Sequence, residues 1–354
     1  MKQLLLLAAC GWILAAACQP VADRDAALET GSMLVSVSGI GLPATKSNTE
    51  PAGKDAYLHD VQVFIFQLDG SLYRRETFPE NVSSRSIDGV KAGYYNLVAV
   101  ANGPDLSAVK TRTELEQQAI ALSLNDPERG FIMYGAAPGN VTVSSSSDTP
   151  ARVSIELRRF VSRVRLTTVQ NKLPSDCGSL KVEGVFLSNV LSAWTWLASA
   201  DPTGYINHAG RKAGRSTSTS ESDFIVGSAD AECPALTFRT LDRTVARSEN
   251  PETIGIPLYA FPNKLTANED HFSGPTADAA CTRMVLVVSY GSNAERWYYP
   301  VTIPSMERNT SYDVAFIISG PGTKDPNQRV SNGNLDVEVS IGDWGNGSEF
   351  LGDF

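Results

Sequence analysis

The sequence predicts a mostly-β protein of two sandwich units, with a short helical crossover inside the first. Runs of alternating apolar and polar residues recur in both halves, turn-forming residues separate them, and little outside 105 to 121 has helical spacing. In the first half, Met33 to Ser38 alternates cleanly, and Val61 to Leu68 reads as the next strand after a polar stretch from Pro43 to Lys54. Asp69-Gly70 then predicts a tight turn into a returning strand, Ser71 to Thr77. Tyr94 to Ala101 is apolar enough for a central strand. Leu106, Val109, Leu115 and Ala119 follow at mixed three- and four-residue spacing, with Asp105 as a candidate helix cap.

Ser144 to Pro150 reads as a flexible connection or a long hairpin tip. Beyond it, Ala151 to Leu157 and Phe160 to Val169 predict long strands, the second with Arg163 and Arg165 on alternate positions. The domain boundary is placed near residue 165. Further strands are expected at Val182 to Leu187, Ile256 to Phe261, Met284 to Tyr290, Trp297 to Ile303, Tyr312 to Ser319 and Leu335 to Trp344.

The N-terminus reads as an export signal. Lys2 precedes an uncharged run from Leu4 to Ala17, too short for the roughly 20 apolar residues of a membrane-spanning helix. Ala15-Ala16-Ala17-Cys18 fits lipoprotein processing, with Cys18 carrying the lipid; ordinary secretion with Cys18 unmodified is the alternative. The net charge of −9 argues against nucleic acid as a partner, because no basic stripe exists to neutralise phosphates. Cys177, Cys233 and Cys281 can make at most one disulfide within the chain and form no metal-binding CxxC pair.

Enzymatic signatures are missing. His59, His208 and His271 lack metal-ligand spacing and read as surface residues. No GxSxG, phosphate-binding loop or dinucleotide fingerprint occurs, and no cofactor is implied. Gly320-Pro321-Gly322-Thr323 follows a strand and leads to Pro326 rather than a helix. Trp194, Trp196 and Tyr205 could stack on a sugar face; aromatics two apart on a strand equally suit a sandwich core.

In the last strand, Leu335, Val337, Val339 and Ile341 share one face, and Asp336, Glu338 and Ser340 the other. It reads either as an edge strand closing its own sandwich or as a strand offered to another subunit. The region Ser305-Met306-Glu307-Arg308-Asn309, Tyr312-Asp313-Val314, then Ile318 to Thr323 with Asp325-Pro326, resembles the C-terminal region of the Bacteroidales fimbrillins, the type V pilin subunits. The lipoprotein signal, the strand near 33, Val61 to Phe66 and Asn96 to Asn102 follow the order of that family.

The resemblance implies two transthyretin-like sandwiches exported as a lipoprotein. It also implies a trypsin-like protease that removes the first strand, here Met33 to Leu42, and a neighbouring subunit whose C-terminal strand fills the groove. The donor residues would be Leu335, Val337, Val339 and Ile341, with Trp344 at the end of the strand. The implied units are a signal peptide (1–17), a lipidated propeptide (18–46), two β-sandwich domains (47–165 and 166–334) and a donor segment (335–354). The implied partners are other pilin subunits, the processing protease and, through the lipid, the outer membrane. The family's processing site is an arginine after the first strand, whereas this loop offers Lys46, which otherwise reads as a solvated loop residue. Arg24 precedes that strand, and Arg74 and Arg75 follow the second. An accessory tip or anchor subunit and a surface glycan-binding lipoprotein are the competing expectations.

Overall fold

The computed structural model describes residues 29–39, 57–145, 149–196, 205–206, 234–262, 282–291, 293–303, 305–326 and 328–344. Cys18, Lys46, Arg24, His208, His271, Cys233 and Cys281 lie outside them. The protein is mostly β, as the alternation predicts.

The first strand set comprises β1 (Thr30–Gly39), β2 (Val61–Gln67), β3 (Leu72–Phe78), β4 (Ser84–Lys91) and β5 (Gly93–Ala101). After the short β6 (Ala119–Ala121), it continues with β7 (Met133–Ala136), β8 (Val141–Val143) and β9 (Ala151–Arg159). The order is β3-β2-β5-β7-β9-β1-β4, with β8 beside β5. β9 belongs to two groups of strands: residues 151–157 pair in parallel with β1, and Arg158 and Arg159 pair with β7. The set therefore turns over at β9, and β1, β4 and β9 share a core with β2 and β5.

β2 and β5 are buried on both faces. Val61, Val63, Ile65, Leu97 and Ala99 enter that first core, while Phe64, Phe66, Val98 and Val100 enter a second. This explains why both read as continuous apolar runs rather than half-polar strands.

The crossover carries one short helix, α1 (Arg112–Gln117), and a 3-10 turn at Leu122–Leu124. Asp105 does not cap the helix; its carboxylate accepts from Ser107 N at 2.9 Å and closes a local turn. Thr111 is the cap, accepting from Glu114 N, while the Glu114 carboxylate accepts from Thr111 N. That reciprocal pair satisfies two amides the first turn would leave orphaned.

The second strand set comprises β10 (Ser162–Asn171), β11 (Leu180–Ser188), β12 (Val190–Leu191), β13 (Ala193–Thr195) and β14 (Tyr205–Ile206). After α2 (Pro234–Thr237) it continues with β15 (Phe238–Val245), β16 (Glu252–Ala260), β17 (Arg283–Tyr290), β18 (Glu295–Thr302), β19 (Thr310–Ile318) and β20 (Leu335–Asp343). Two four-stranded sheets, β16-β10-β19-β20 and β15-β11-β17-β18, contribute to the second core. β12 pairs with β14, and β13 with β6. β10 and β19 run parallel, and the alternating arginines bind across them: Arg163 donates to Ser311 Oγ at 3.0 Å, and Arg165 forms a two-pronged pair with Asp313.

Candidate functional site

The first-strand and donor residues singled out in the sequence lie on two strands, β1 and β20. β1 is an inner strand, with β9 parallel on one side and β4 antiparallel on the other. Met33, Val35 and Val37 are buried in the first core. Gly31 sits at a close approach: a Cβ there would lie 1.9 Å from the carbonyl oxygen of Ser144. Any side chain at that position must push the end of β8 away.

β20 is an edge strand. One side pairs with β19 from Ile318–Leu335 to Thr310–Asp343, and among the described residues no strand covers the other. Leu335, Val337 and Val339 are half-buried against the second core, whereas Ile341 is 61% exposed. One face thus holds the chain's own core while its last apolar residue projects into solvent.

Trp344 fastens the end of this strand. Its ring is 1% exposed, packed edge-on against Phe131 (5.2 Å between centroids) and stacked on Tyr259 (5.4 Å). The guanidinium carbon of Arg159 lies 4.5 Å from the ring centroid, and that of Arg163 lies 5.3 Å away. Trp344 N donates to Asn309 O, and Trp344 O accepts from Arg159 at 3.1 Å. Asn309, in the left-handed region at φ 58°, also accepts from the Arg159 guanidinium at 3.2 Å. The fastening joins β9, β16, the turn before β19 and the end of β20. Arg159 and Asn309 carried no assigned role in the sequence reading, although Asn309 stood in the motif behind the resemblance.

The glycine-rich motif after β19 is a packing device. A Cβ on Gly322 would lie 2.5 Å from Tyr298 O, so glycine lets Thr323 exchange two 2.9 Å backbone hydrogen bonds with Tyr298. Trp196 is a core residue, 3% exposed, 4.7 Å from the Phe160 ring and 5.6 Å from that of Tyr134. Trp194 packs on Phe261 at 6.3 Å. Trp196 thus serves the core, as one of the two expectations had it, while Trp194 is half-buried. His59, expected on the surface, is half-buried with its ring edge-on to Tyr57.

Fold and site together define a β protein with two strands of interest: an inner N-terminal strand and an edge C-terminal strand. The family model described as fimbrillin-A associated anchor proteins Mfa1 and Mfa2 matches residues 32–226, more than half of the chain, and the chain belongs to that family of fimbrial proteins. A protein from Bacteroides eggerthii, described as a cell adhesion protein, has a similar fold at TM-score 0.62 and 16% identity, covering 89% of this chain and 96% of its own. A fimbrilin from Porphyromonas gingivalis is similar at TM-score 0.57 and 14% identity, covering 90% and 98%. The tip fimbrial protein Mfa3 of the same organism, truncated at its C-terminus, is similar at 0.54 and 12%, covering 88% and 100%. No curated protein matches the sequence.

Proposed function

We propose that the chain is a polymerising fimbrial subunit, exported as a lipoprotein through Cys18 and activated by removal of its propeptide, 18–46, after Lys46. The observation that carries this reading is the inner position of β1. Its loss would leave β9 and β4 without their shared partner and would empty the sites of Met33, Val35 and Val37. Burial of each such side chain is worth about 1.5–3 kcal/mol, so a replacement strand gains both apolar burial and a backbone ladder.

The replacement is β20 of a neighbouring subunit. Its Leu335, Val337, Val339 and Ile341 repeat with the two-residue period of Met33, Val35 and Val37. Donation requires β20 to leave β19 and release Trp344. The protein partners are other fimbrial subunits and the processing protease, and the outer membrane is a partner only while the lipid is attached.

A photo-reactive amino acid at Ser154 tests this directly, because Ser154 stands opposite Ser36 across the β1–β9 ladder. Assembled fimbriae should yield cross-links from position 154 to residues 335–343 of another subunit. Cross-links to residues 30–39 alone, in assembled material, would refute donation. Cross-linking is preferable to deleting residues 335–354, since deletion also strips Trp344 from the core.

The family description favours a second reading, an anchor subunit that keeps its lipid and its first strand. Such a subunit would enter the fimbrium with position 154 still cross-linking to its own β1.

A further inference from the structure

Among the described strands, β4 has one backbone partner, β1. If β1 leaves, the ladder that holds β4 leaves with it. A groove of strand width between β9 and β4 then persists only if β4 is held from its other side.

Such a hold exists between β4 and β3, which share no ladder. Arg85 of β4 donates to Thr77 O at 2.8 Å, and Arg74 of β3 donates to Asp88 O at 2.8 Å. Lys91 N donates to the Tyr73 hydroxyl at 2.9 Å, and the Tyr95 hydroxyl donates to Lys91 O at 2.7 Å. Thr77 with Arg85, Arg74 with Asp88 and Tyr73 with Lys91 follow the descending order of antiparallel neighbours. Long side chains thus bridge a gap too wide for the roughly 4.8 Å spacing of a backbone ladder.

The bridges are themselves positioned. Arg74 is paired with Glu76, and the rings of Tyr73 and Tyr95 pack at 5.0 Å. Ile87 and Val90 seat the inner face of β4 in the first core. Arginines on a sheet edge commonly serve only to discourage pairing with other chains. Here the guanidinium donors land on backbone carbonyls of the facing strand, one reaching from each side of the gap.

We propose that Tyr73, Arg74, Arg85 and Tyr95 form a clamp that holds β4 in place once β1 is gone, keeping the groove open for an incoming strand. The ligand of that groove is an extended segment with apolar residues at every second position. The four are positioning residues, since their side chains tie β4 to β3 and β5. This inference rests on the reading that β1 is removed.

The test uses the full chain with a specific protease site inserted between residues 40 and 56, with and without Tyr73→Phe plus Arg85→Met. Arg85→Met alone, at an exposed position, is the milder variant. Uncut proteins should melt alike and protect the amides of 84–91 alike. After cutting and displacement of the N-terminal fragment, the parent should retain protection over 84–91 and rebind a synthetic peptide of residues 29–42. The variant should lose that protection and bind the peptide about tenfold more weakly. Equal protection and equal affinity in the two cut proteins would overturn the clamp. Because the probe is the chain's own first strand, the result does not depend on which strand is the natural donor. Failure of a 335–343 peptide to bind the same groove would count against donation and leave the clamp standing.

Discussion

At the scale of single residues, Trp344 is the most deeply buried side chain among the described residues from 335 onward. Its indole fills a pocket bounded by Phe131 and Tyr259, under the guanidinium groups of Arg159 and Arg163. Trp344→Ala should destabilise the chain by about 3–5 kcal/mol in denaturant unfolding, the cost of a large core cavity. A smaller loss would mean the pocket collapses or the ring is held loosely. Gly31→Val should lower the melting temperature of the uncleaved chain, with about 1–3 kcal/mol lost to the clash at Ser144 O. The same substitution should have no effect on a mature chain that has shed β1. Little of this was legible beforehand: Trp344 stood out as the end of an alternating strand, but its contacts with Arg159 and Phe131 come from residues far away in sequence. The positive φ of Asn309 likewise has no signature in a lone asparagine.

At the scale of elements, reading succeeded where one local rule decides the outcome. Asp69-Gly70 makes the expected turn, with Gly70 at φ 85° and Asp69 accepting from Ser71 N at 2.9 Å. β1, β2, β5, β9, β10 and β17 to β20 appear where the alternation or apolar runs place them. β4 and β15 were missed for a shared physical reason: both carry charged or polar residues at most positions. Only Ile87 and Val90 of β4, and only Val245 of β15, are fully buried. Such strands are held by their neighbours rather than by their own pattern, as the side-chain bridges onto β4 illustrate. The helix was found but its start was misread, because Asp105 and Thr111 are both cap-forming residues and only Thr111 has Glu three positions later. Thr111→Ala should cost about 1 kcal/mol in thermal or denaturant unfolding, with the loss of the reciprocal cap. An unchanged stability would show that the helix is held by Leu115 in the core alone.

For the whole molecule, the division of β2 and β5 between two cores governs how the chain tolerates strand loss. The phenylalanines and valines facing the second core are untouched by anything that happens at β1, so removal of the first strand opens one core and leaves the other packed. Sequence composition indicated two sandwich units, but it could not show that one pair of strands serves both, because buried strands read as apolar runs whichever core they face. The C-terminal strand shows the complementary limit. Its alternation was clear, yet the same pattern fits an edge strand resting on β19 and a strand donated to a neighbour. In this structure it rests on β19, and the donation proposed above would transfer it to the site of another subunit's β1. On the function proposed, one cut would both separate the chain from a lipid on Cys18 and create the acceptor. Mass spectrometry of the N-terminus of chains taken from assembled fimbriae bears on this most directly. A first residue between 40 and 56, Ser47 if the cut follows Lys46, is the expected result. A lipidated Cys18 still joined to an intact β1 would contradict removal of the strand and leave the chain as an anchor.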